Sequence, residues 1–440
     1  MRAKARLSFL PNSISRKDVF VFLVGVLSLI KVRVLGTFAL AELLAMVSLF
    51  LIPWWRCLKN GKVRMFIKLA ILWLVAVIVS DLYNGSSTVN SLKGSFNVVF
   101  LILDIPFVYW AFYDRPKRIL YYWIGVGIGS LIQFYVFSSY DSEFEYDVWR
   151  VYAYDVLFIA VAGILYYNDF KKISLLLLEG FAVWSLFHSS RNIFLSATIA
   201  VVMLLYIGHL EKKSPDNVLV LYKKRFMGVF LSLGVGALIA SNVYEYAASN
   251  GILGVEAQNK YEMQKNTEAG LASGRLDFVI SSNLIIENPI WGYGSYAKDK
   301  NRYRERYLMR HGYYVSSEEK EDMLPGHSYF LGAWVYSGVL SAPFWLFVIA
   351  QIFLCLKNGT MLRNRRLMGI VVFLMLSYTW KIFFSPFADR ILFASFMMIL
   401  LALNTPANPY WGIGDTHTVP MPRENYLYPT RRKRSRRIFR

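Results

Sequence analysis

Ser95-Phe96-Asn97-Val98-Val99-Phe100-Leu101-Ile102-Leu103-Asp104-Ile105-Pro106-Phe107-Val108-Tyr109-Trp110-Ala111-Phe112-Tyr113 decides the fold of this chain. The stretch is nineteen residues long and carries one charged side chain, Asp104, before it stops against Arg115, Lys117 and Arg118. At the helical rise such a segment reaches about 28 Å, close to the bilayer's hydrocarbon thickness of about 30 Å. Similar blocks recur along the 440 residues, and helices are predicted at roughly 19–34, 36–53, 69–82, 95–113, 119–138, 150–167, 173–188, 192–209, 226–243, 328–354, 367–384 and 390–403. Several are shorter than a full span, so their ends must run into polar flanks. Hydrophobic residues make up 56% of the chain and charged ones only 18%, against about 25% charged in a soluble domain. The expected fold is all-α: a bundle of about 12 transmembrane helices with one large, partly helical periplasmic loop.

The net charge of +20 first suggests a nucleic-acid partner. Its distribution argues against one. The bases sit in short connections: Arg56/Lys59/Lys62/Arg64/Lys68, Arg115/Lys117/Arg118, Lys171/Lys172, Lys212/Lys213/Lys223/Lys224/Arg225 and Arg363/Arg365/Arg366. The alternate connections are acidic, as at Asp141, Glu143, Glu145 and Asp147. That asymmetry places both termini in the cytoplasm. Lys31 and Arg33 fall on the wrong side, so the first two helices are expected to form a shallow hairpin. They also interrupt the path to Ala39-Leu40-Ala41, which only loosely resembles a signal-peptidase site, so the N-terminal region is read as retained. The chain then divides into a basic cytoplasmic N-terminus (1–18), a nine-helix membrane region (19–243), a large periplasmic loop (244–327), a three-helix membrane region (328–403) and a basic cytoplasmic tail (404–440). The tail ends RRKRSRRIFR and reads as an anchor near anionic membrane lipid. Cys57 and Cys355 both fall at cytoplasmic helix ends, where no disulfide is expected. They offer no zinc site, no metal ligand set is foreseen elsewhere, and no cofactor motif is present.

Three clusters could carry chemistry, all on the loop side. The first is His188-Ser189-Ser190-Arg191-Asn192. Arg191 there is either a snorkelling helix-end residue or an anion site, since a guanidinium matches phosphate geometry. The second is Ser273-Gly274-Arg275-Leu276-Asp277, leading into Glu287-Asn288-Pro289-Ile290-Trp291-Gly292-Tyr293-Gly294. Arg275 would open a helix that Pro289 and the two glycines close, which is either a surface helix with a salt bridge or a second anion site. The third is Pro325-Gly326-His327-Ser328-Tyr329-Phe330-Leu331-Gly332-Ala333-Trp334, running on to Gly338. His327 is either a boundary residue held by packing or a general base working near neutral pH. Asp277, Ser328 and Tyr329 are secondary candidates. Glu42, Asp104, Asp155 and Glu179 lie in apolar blocks, where an acid is costly and is structural or functional. Gly125-Val126-Gly127-Ile128-Gly129 reads as helix packing rather than a nucleotide loop.

The order of these features resembles the bacterial O-antigen ligase and O-antigen polymerase superfamily, over about residues 150–400. The residues that carry the resemblance are Ser190-Arg191, Ser273-Gly274-Arg275-Leu276 with its Glu287 to Gly294 continuation, and His327 to Trp334 running into Gly338. The resemblance implies a metal-independent inverting glycosyltransferase of the inner membrane with no cofactor. Its donor would be an oligosaccharide on undecaprenyl pyrophosphate. Arg191 and Arg275 would hold the pyrophosphate, and His327 would activate the acceptor hydroxyl. Ser328 departs from the Asn common after the histidine in that family. The His-Ser-Tyr run with the following Ala-Trp looks more like the polymerase branch, which serves O-antigen or exopolysaccharide assembly alongside a chain-length regulator and a flippase. A ligase that transfers the glycan to lipid A core in lipopolysaccharide is the alternative. A non-enzymatic polysaccharide transporter is a third reading, disfavoured by the lack of internal repeats.

Overall fold

The computed structural model describes residues 14–33, 37–138, 143–188, 190–215, 217–255, 258, 261–262, 276–310, 323–324, 326 and 328–405. The helices in order are α1 (Arg16–Leu27), α2 (Leu40–Ser48), α3 (Gly61–Asn84), α4 (Thr88–Phe112), α5 (Arg118–Val136), α6 (Glu143–Tyr167), α7 (Lys171–Phe187), α8 (Arg191–Lys213) and α9 (Val218–Ser249). In the large loop stand α10 (Leu276–Glu287) and α11 (Tyr303–Arg310), followed by α12 (Tyr329–Ser337), α13 (Ala342–Asn358), α14 (Met368–Phe384) and α15 (Arg390–Leu403). The only sheet among the described residues is a two-stranded antiparallel hairpin, Lys31–Arg33 with Thr37–Ala39, in which Val32 faces Phe38.

Six helical segments among the described residues are long and apolar enough to cross a membrane: 61–84, 88–112, 118–136, 149–167, 191–213 and 339–358. The count of about twelve spans expected from sequence is therefore not confirmed, and several of the expected blocks take a different form. The first two blocks are split by the hairpin that carries Lys31, so α1 and α2 are 12 and 9 residues long. At about 1.5 Å per residue neither can cross a bilayer alone. The block expected at 328–354 breaks at Gly338, whose φ of 71° ends α12 before a short 3-10 turn leads into α13. Helices α14 and α15 are apolar but only 17 and 14 residues long. Elsewhere the helices outgrow their apolar blocks, as expected: α3 starts eight residues earlier than its apolar run, within the basic flank.

Helices α1 and α5 meet backbone to backbone. A Cβ on Gly25 would lie 2.2 Å from the Tyr122 carbonyl oxygen, and one on Gly125 would lie 2.2 Å from that of Phe22. The glycine run in α5 is thus a packing surface. Deeper in the bundle, Trp73, Phe344, Trp345, Tyr329, Phe387 and Phe393 form a continuous aromatic cluster, with Trp73 and Trp345 ring centroids 5.3 Å apart. It is this cluster that joins α3, α12, α13 and α15. The cysteines Cys57 and Cys355 are both free and buried.

The two ends of the bundle differ in chemistry. At one end the Asp18 carboxylate of α1 takes Arg115 at 2.7 Å and Arg118 at 2.8 Å. Helix α3 begins and α15 finishes at that same end, since Lys62 donates to the Asn404 carbonyl at 2.6 Å. At the other end, the large loop is docked.

Candidate functional site

The loop is fixed by polar contacts to α3. Ser295 donates its backbone N–H to Asp81 Oδ1 at 2.6 Å and its hydroxyl to Oδ2 at 2.8 Å. Asn84, one turn on, donates to the Gly292 carbonyl at 3.2 Å. Ser80 donates to the Tyr336 carbonyl at 2.8 Å, which ties α12 to the same helix end. Asp81 and Ser295 are both buried, where a carboxylate without such donors is costly.

The turn after α10 and the end of α12 interlock. The Tyr293 N–H donates to the Val335 carbonyl at 2.8 Å and the Gly294 N–H to that of Tyr336 at 3.0 Å. Trp334 Nε1 donates to the Pro289 carbonyl at 2.9 Å. A Cβ at Gly338 would stand 2.0 Å from the Ile290 oxygen, and one at Gly292 would stand 2.7 Å from the Gly338 nitrogen. The glycines of two separate sequence clusters are therefore the two halves of one close contact. As expected, a helix spans 276–287 and ends at the Pro289 turn.

This junction encloses a cavity of about 380 Å³, with Asp277, Ser295, Tyr296, Gly326, Tyr329 and Tyr336 among its walls. Tyr296 sits in the left-handed region at φ 52°, unusual for a residue with a side chain. Its hydroxyl accepts from Asn97 Nδ2 at 3.0 Å, and its ring stacks on Tyr336 with centroids 6.1 Å apart. The buried Tyr329 hydroxyl donates to Asp389 Oδ1, and Lys381 donates to Oδ2 at 2.7 Å. Burial pushes the Asp389 carboxyl up, but the Lys381 charge, the hydrogen bonds from Lys381 and Tyr329, and the Lys31 charge outweigh it and hold it below the usual carboxylate range. Beside the cavity, Arg390 is wholly engaged: Nε to Glu42 Oε1 at 2.7 Å, Nη2 to Glu42 Oε2 and to the Thr37 carbonyl, both at 2.8 Å, and Nη1 to Asn97 Oδ1.

Of the residues singled out from sequence, Asp277 and Tyr329 come together in the cavity wall. The Ser328 hydroxyl is turned to structure: it caps α12 by accepting from the Leu331 N–H at 3.0 Å, and it donates to the Ile382 carbonyl at 2.9 Å. Arg191 does not line the cavity. It stands at the start of α8, at the same end of the bundle, with its guanidinium 4.5 Å from the centre of the Tyr244 ring. Arg150 lies nearby, 3.3 Å from His188 Nδ1. Arg275 and His327 lie outside the described residues, and so do Ser189, Ser273, Gly274 and Pro325. Glu42 is the partner of Arg390, and Glu179 accepts from Thr198 at 3.3 Å. Asp104 makes no hydrogen bond among the described residues, nor does Asp155 Oδ1. Sequence reasoning missed Asp81, Asn97, Tyr296, Lys381 and Asp389. Asp81 and Lys381 end apolar runs and carried a signal of the kind applied to Arg191; the others carried none.

Residues 173–346 match the family model described as O-antigen ligase. The match supports a place for this segment in the O-antigen ligase and polymerase superfamily. No curated protein matches the chain. The match supports a ligase or polymerase type of function on lipid-linked oligosaccharide, and with the apolar helices it indicates a membrane protein. The matched segment runs from α7 into α13 and contains Arg191, Arg275, Asp277, His327, Ser328 and Tyr329. It does not contain the whole cavity. Trp73, Val77, Asn97 and Val98 of α3 and α4, and Pro386, Phe387 and Ala388 before α15, complete the walls from outside it.

Proposed function

We propose that this protein is a polysaccharide polymerase, transferring a glycan from undecaprenyl pyrophosphate to a sugar hydroxyl of another lipid-linked repeat unit at the periplasmic face of the inner membrane. One observation carries the reading: Asp277, Gly326 and Tyr329, from two of the three sequence clusters, wall a single cavity at the loop end of the bundle. Aromatic rings and a few convergent polar groups in a cavity of this size suit a sugar.

In the proposed reaction His327, between Gly326 and Ser328, takes the proton of the acceptor hydroxyl. The hydroxyl oxygen attacks the anomeric carbon as the bond from that carbon to the pyrophosphate oxygen breaks. The electron pair leaves with undecaprenyl pyrophosphate, and a single displacement inverts the anomeric centre. Arg191 and Arg275 stabilise the charge that grows on the leaving group, so that no metal is required. The Lys381–Asp389–Tyr329 chain holds the Tyr329 wall in place, and Asp277 orients the acceptor sugar.

The description of the matched family as O-antigen ligase favours a second reading, transfer to lipid A core. The two differ only in acceptor. Purified protein given lipid-linked repeat units alone should build a ladder of longer lipid-linked chains, unaffected by a chelator. Strict dependence on added lipid A core would replace the polymerase by the ligase. Movement of labelled lipid-linked glycan across the bilayer with neither product would favour a transporter.

A further inference from the structure

At the end of the bundle opposite the loop lies a second, larger cavity of about 480 Å³. Four of its lining residues are basic, Lys62, Lys223, Arg363 and Arg365, and no acidic side chain among the described residues lines it. Two of the bases are anchored on the end of α15. Lys62 donates to the Asn404 carbonyl at 2.6 Å, while Arg363 donates to those of Leu403 at 2.8 Å and Thr405 at 3.2 Å. Cations at a helix C-terminus satisfy its open carbonyls. That role uses one donor of an ammonium that has three and one nitrogen of a guanidinium that has five N–H groups. The remaining donors of both meet no protein acceptor among the described residues. Arg365 reaches the Pro215 carbonyl at 3.3 Å and Glu211 at 3.8 Å, and Lys223 has no partner among the described residues. Of the four cations only Arg365 has a carboxylate near it among the described residues, so the others repel one another unless a further anion is present.

Part of the lining of this cavity is apolar. Leu219 and Val220 of α9 and Leu354 of α13 line it, and Leu219 and Val220 are also exposed on the outside of the bundle. Exposed apolar side chains continue along α9 through Met227, Phe230 and Leu231, and Phe353 is exposed on α13. A phosphate among the bases would therefore lie beside apolar side chains that continue onto the outside of the bundle, a surface suited to hydrocarbon chains.

We propose that this cavity binds the phosphate headgroup of an anionic phospholipid, with its acyl chains laid along α9 and α13. The volume lies within the range of small-molecule sites, and basic pockets between transmembrane helices bind such headgroups. The site stands at the far end of the bundle from the sugar cavity and does not depend on the polymerase reading. It would fix α9, and with it Tyr244 against Arg191, to the membrane plane.

The test uses the full chain in detergent, titrated with phosphatidylglycerol, phosphatidylcholine or inorganic phosphate, with thermal unfolding and native mass spectrometry as readouts. Lys62 and Arg363 also hold α15, so the variant is the double substitution Lys223→Ala/Arg365→Gln, which leaves those bonds intact. Wild type should retain one more phosphatidylglycerol than the double variant, and its apparent affinity should be higher by about fivefold for each charge removed. Equal retention by both would overturn the site, whatever lipid the basic tail attracts. Equal stabilisation of wild type by inorganic phosphate would assign the cavity to a soluble anion, and equal stabilisation by phosphatidylcholine would remove the role of charge; either result defeats the proposal.

Discussion

Ser295 gives both of its donors, the backbone N–H and the hydroxyl, to the two oxygens of Asp81, and so joins the large loop to the end of α3. Removing the carboxylate strands two buried donors, at about 1–3 kcal/mol for each left unsatisfied. Asp81→Ala should therefore undock the turn at 289–296 and lower glycan transfer strongly, while leaving the bundle folded. Limited proteolysis should cut that turn faster in the variant. Unchanged cleavage and unchanged transfer would mean that the loop is held by other contacts.

Gly338 offers a sharper probe of the same junction. It combines a φ of 71° with a Cβ position 2.0 Å from a backbone oxygen, so a methyl group is both strained and blocked. Gly338→Ala should lower the melting temperature and abolish transfer. Gly180→Ala is the control, since a Cβ there meets nothing within 4 Å. In mid-helix that substitution should be neutral or mildly stabilising.

Glu42 and Arg390 form a doubly bonded ion pair whose side chains are only 2% and 6% exposed. Removing one member of a buried pair costs about 3–5 kcal/mol, because the other charge is left without a counterion. Glu42→Ala should show a loss on that scale in thermal unfolding. Asp114→Ala removes an acid that is 48% exposed, and the loss there should be under about 1 kcal/mol. Similar losses in the two variants would argue against a buried pair.

How much of this could be read in advance follows from what each residue's signal was. The apolar blocks exposed the helices because the bilayer forces every backbone group into them. The same blocks gave about twelve spans, where six helical segments among the described residues are long and apolar enough to cross. Composition does not register a hairpin at Lys31–Ala39, nor the single backbone angle at Gly338 that divides one block into two helices. The clusters around Arg275 and His327 drew attention through charge and glycine spacing. Their interlock through Gly292 and Gly338 is a tertiary fact with no trace in either segment alone. Asn97 was invisible because an asparagine in an apolar run is ordinary until its partner is known, and Tyr296 because a tyrosine in a polar loop is equally ordinary. Ser328 follows the proposed base in sequence, yet it serves as an N-cap.

The Asp389 carboxyl is held below the usual range. A depressed carboxylate contributes its stability above the unfolded value of about 3.9 and loses it as pH falls through the lower folded value. The Lys381–Asp389 pair should thus stay intact from neutral pH down to about pH 4. Loss of transfer between pH 7 and 5 should then trace to a group near the imidazole range, as expected of His327 acting as base. In the Asp389→Asn variant the plateau should drop while the acid limb keeps its position. An acid limb that moves with Asp389→Asn would instead place the titrating group in that pair.

Arg191 and Arg275 are proposed to hold the pyrophosphate. Arg→Lys at either position should retain part of the activity through its point charge, and Arg→Ala should retain less. Membrane abundance must match wild type in each case. Wild-type glycan from Arg275→Ala at normal abundance would remove that residue from the site.

The central claim is glycan transfer from a lipid-linked donor with His327 as base, and purified protein supplied with undecaprenyl-pyrophosphate-linked repeat units tests it most directly. Wild type should convert the donor into a ladder of longer chains and release undecaprenyl pyrophosphate. His327→Ala should bind the donor as tightly and turn it over about 10²–10⁴-fold more slowly. A His327→Ala protein that builds the ladder at the wild-type rate would contradict the account.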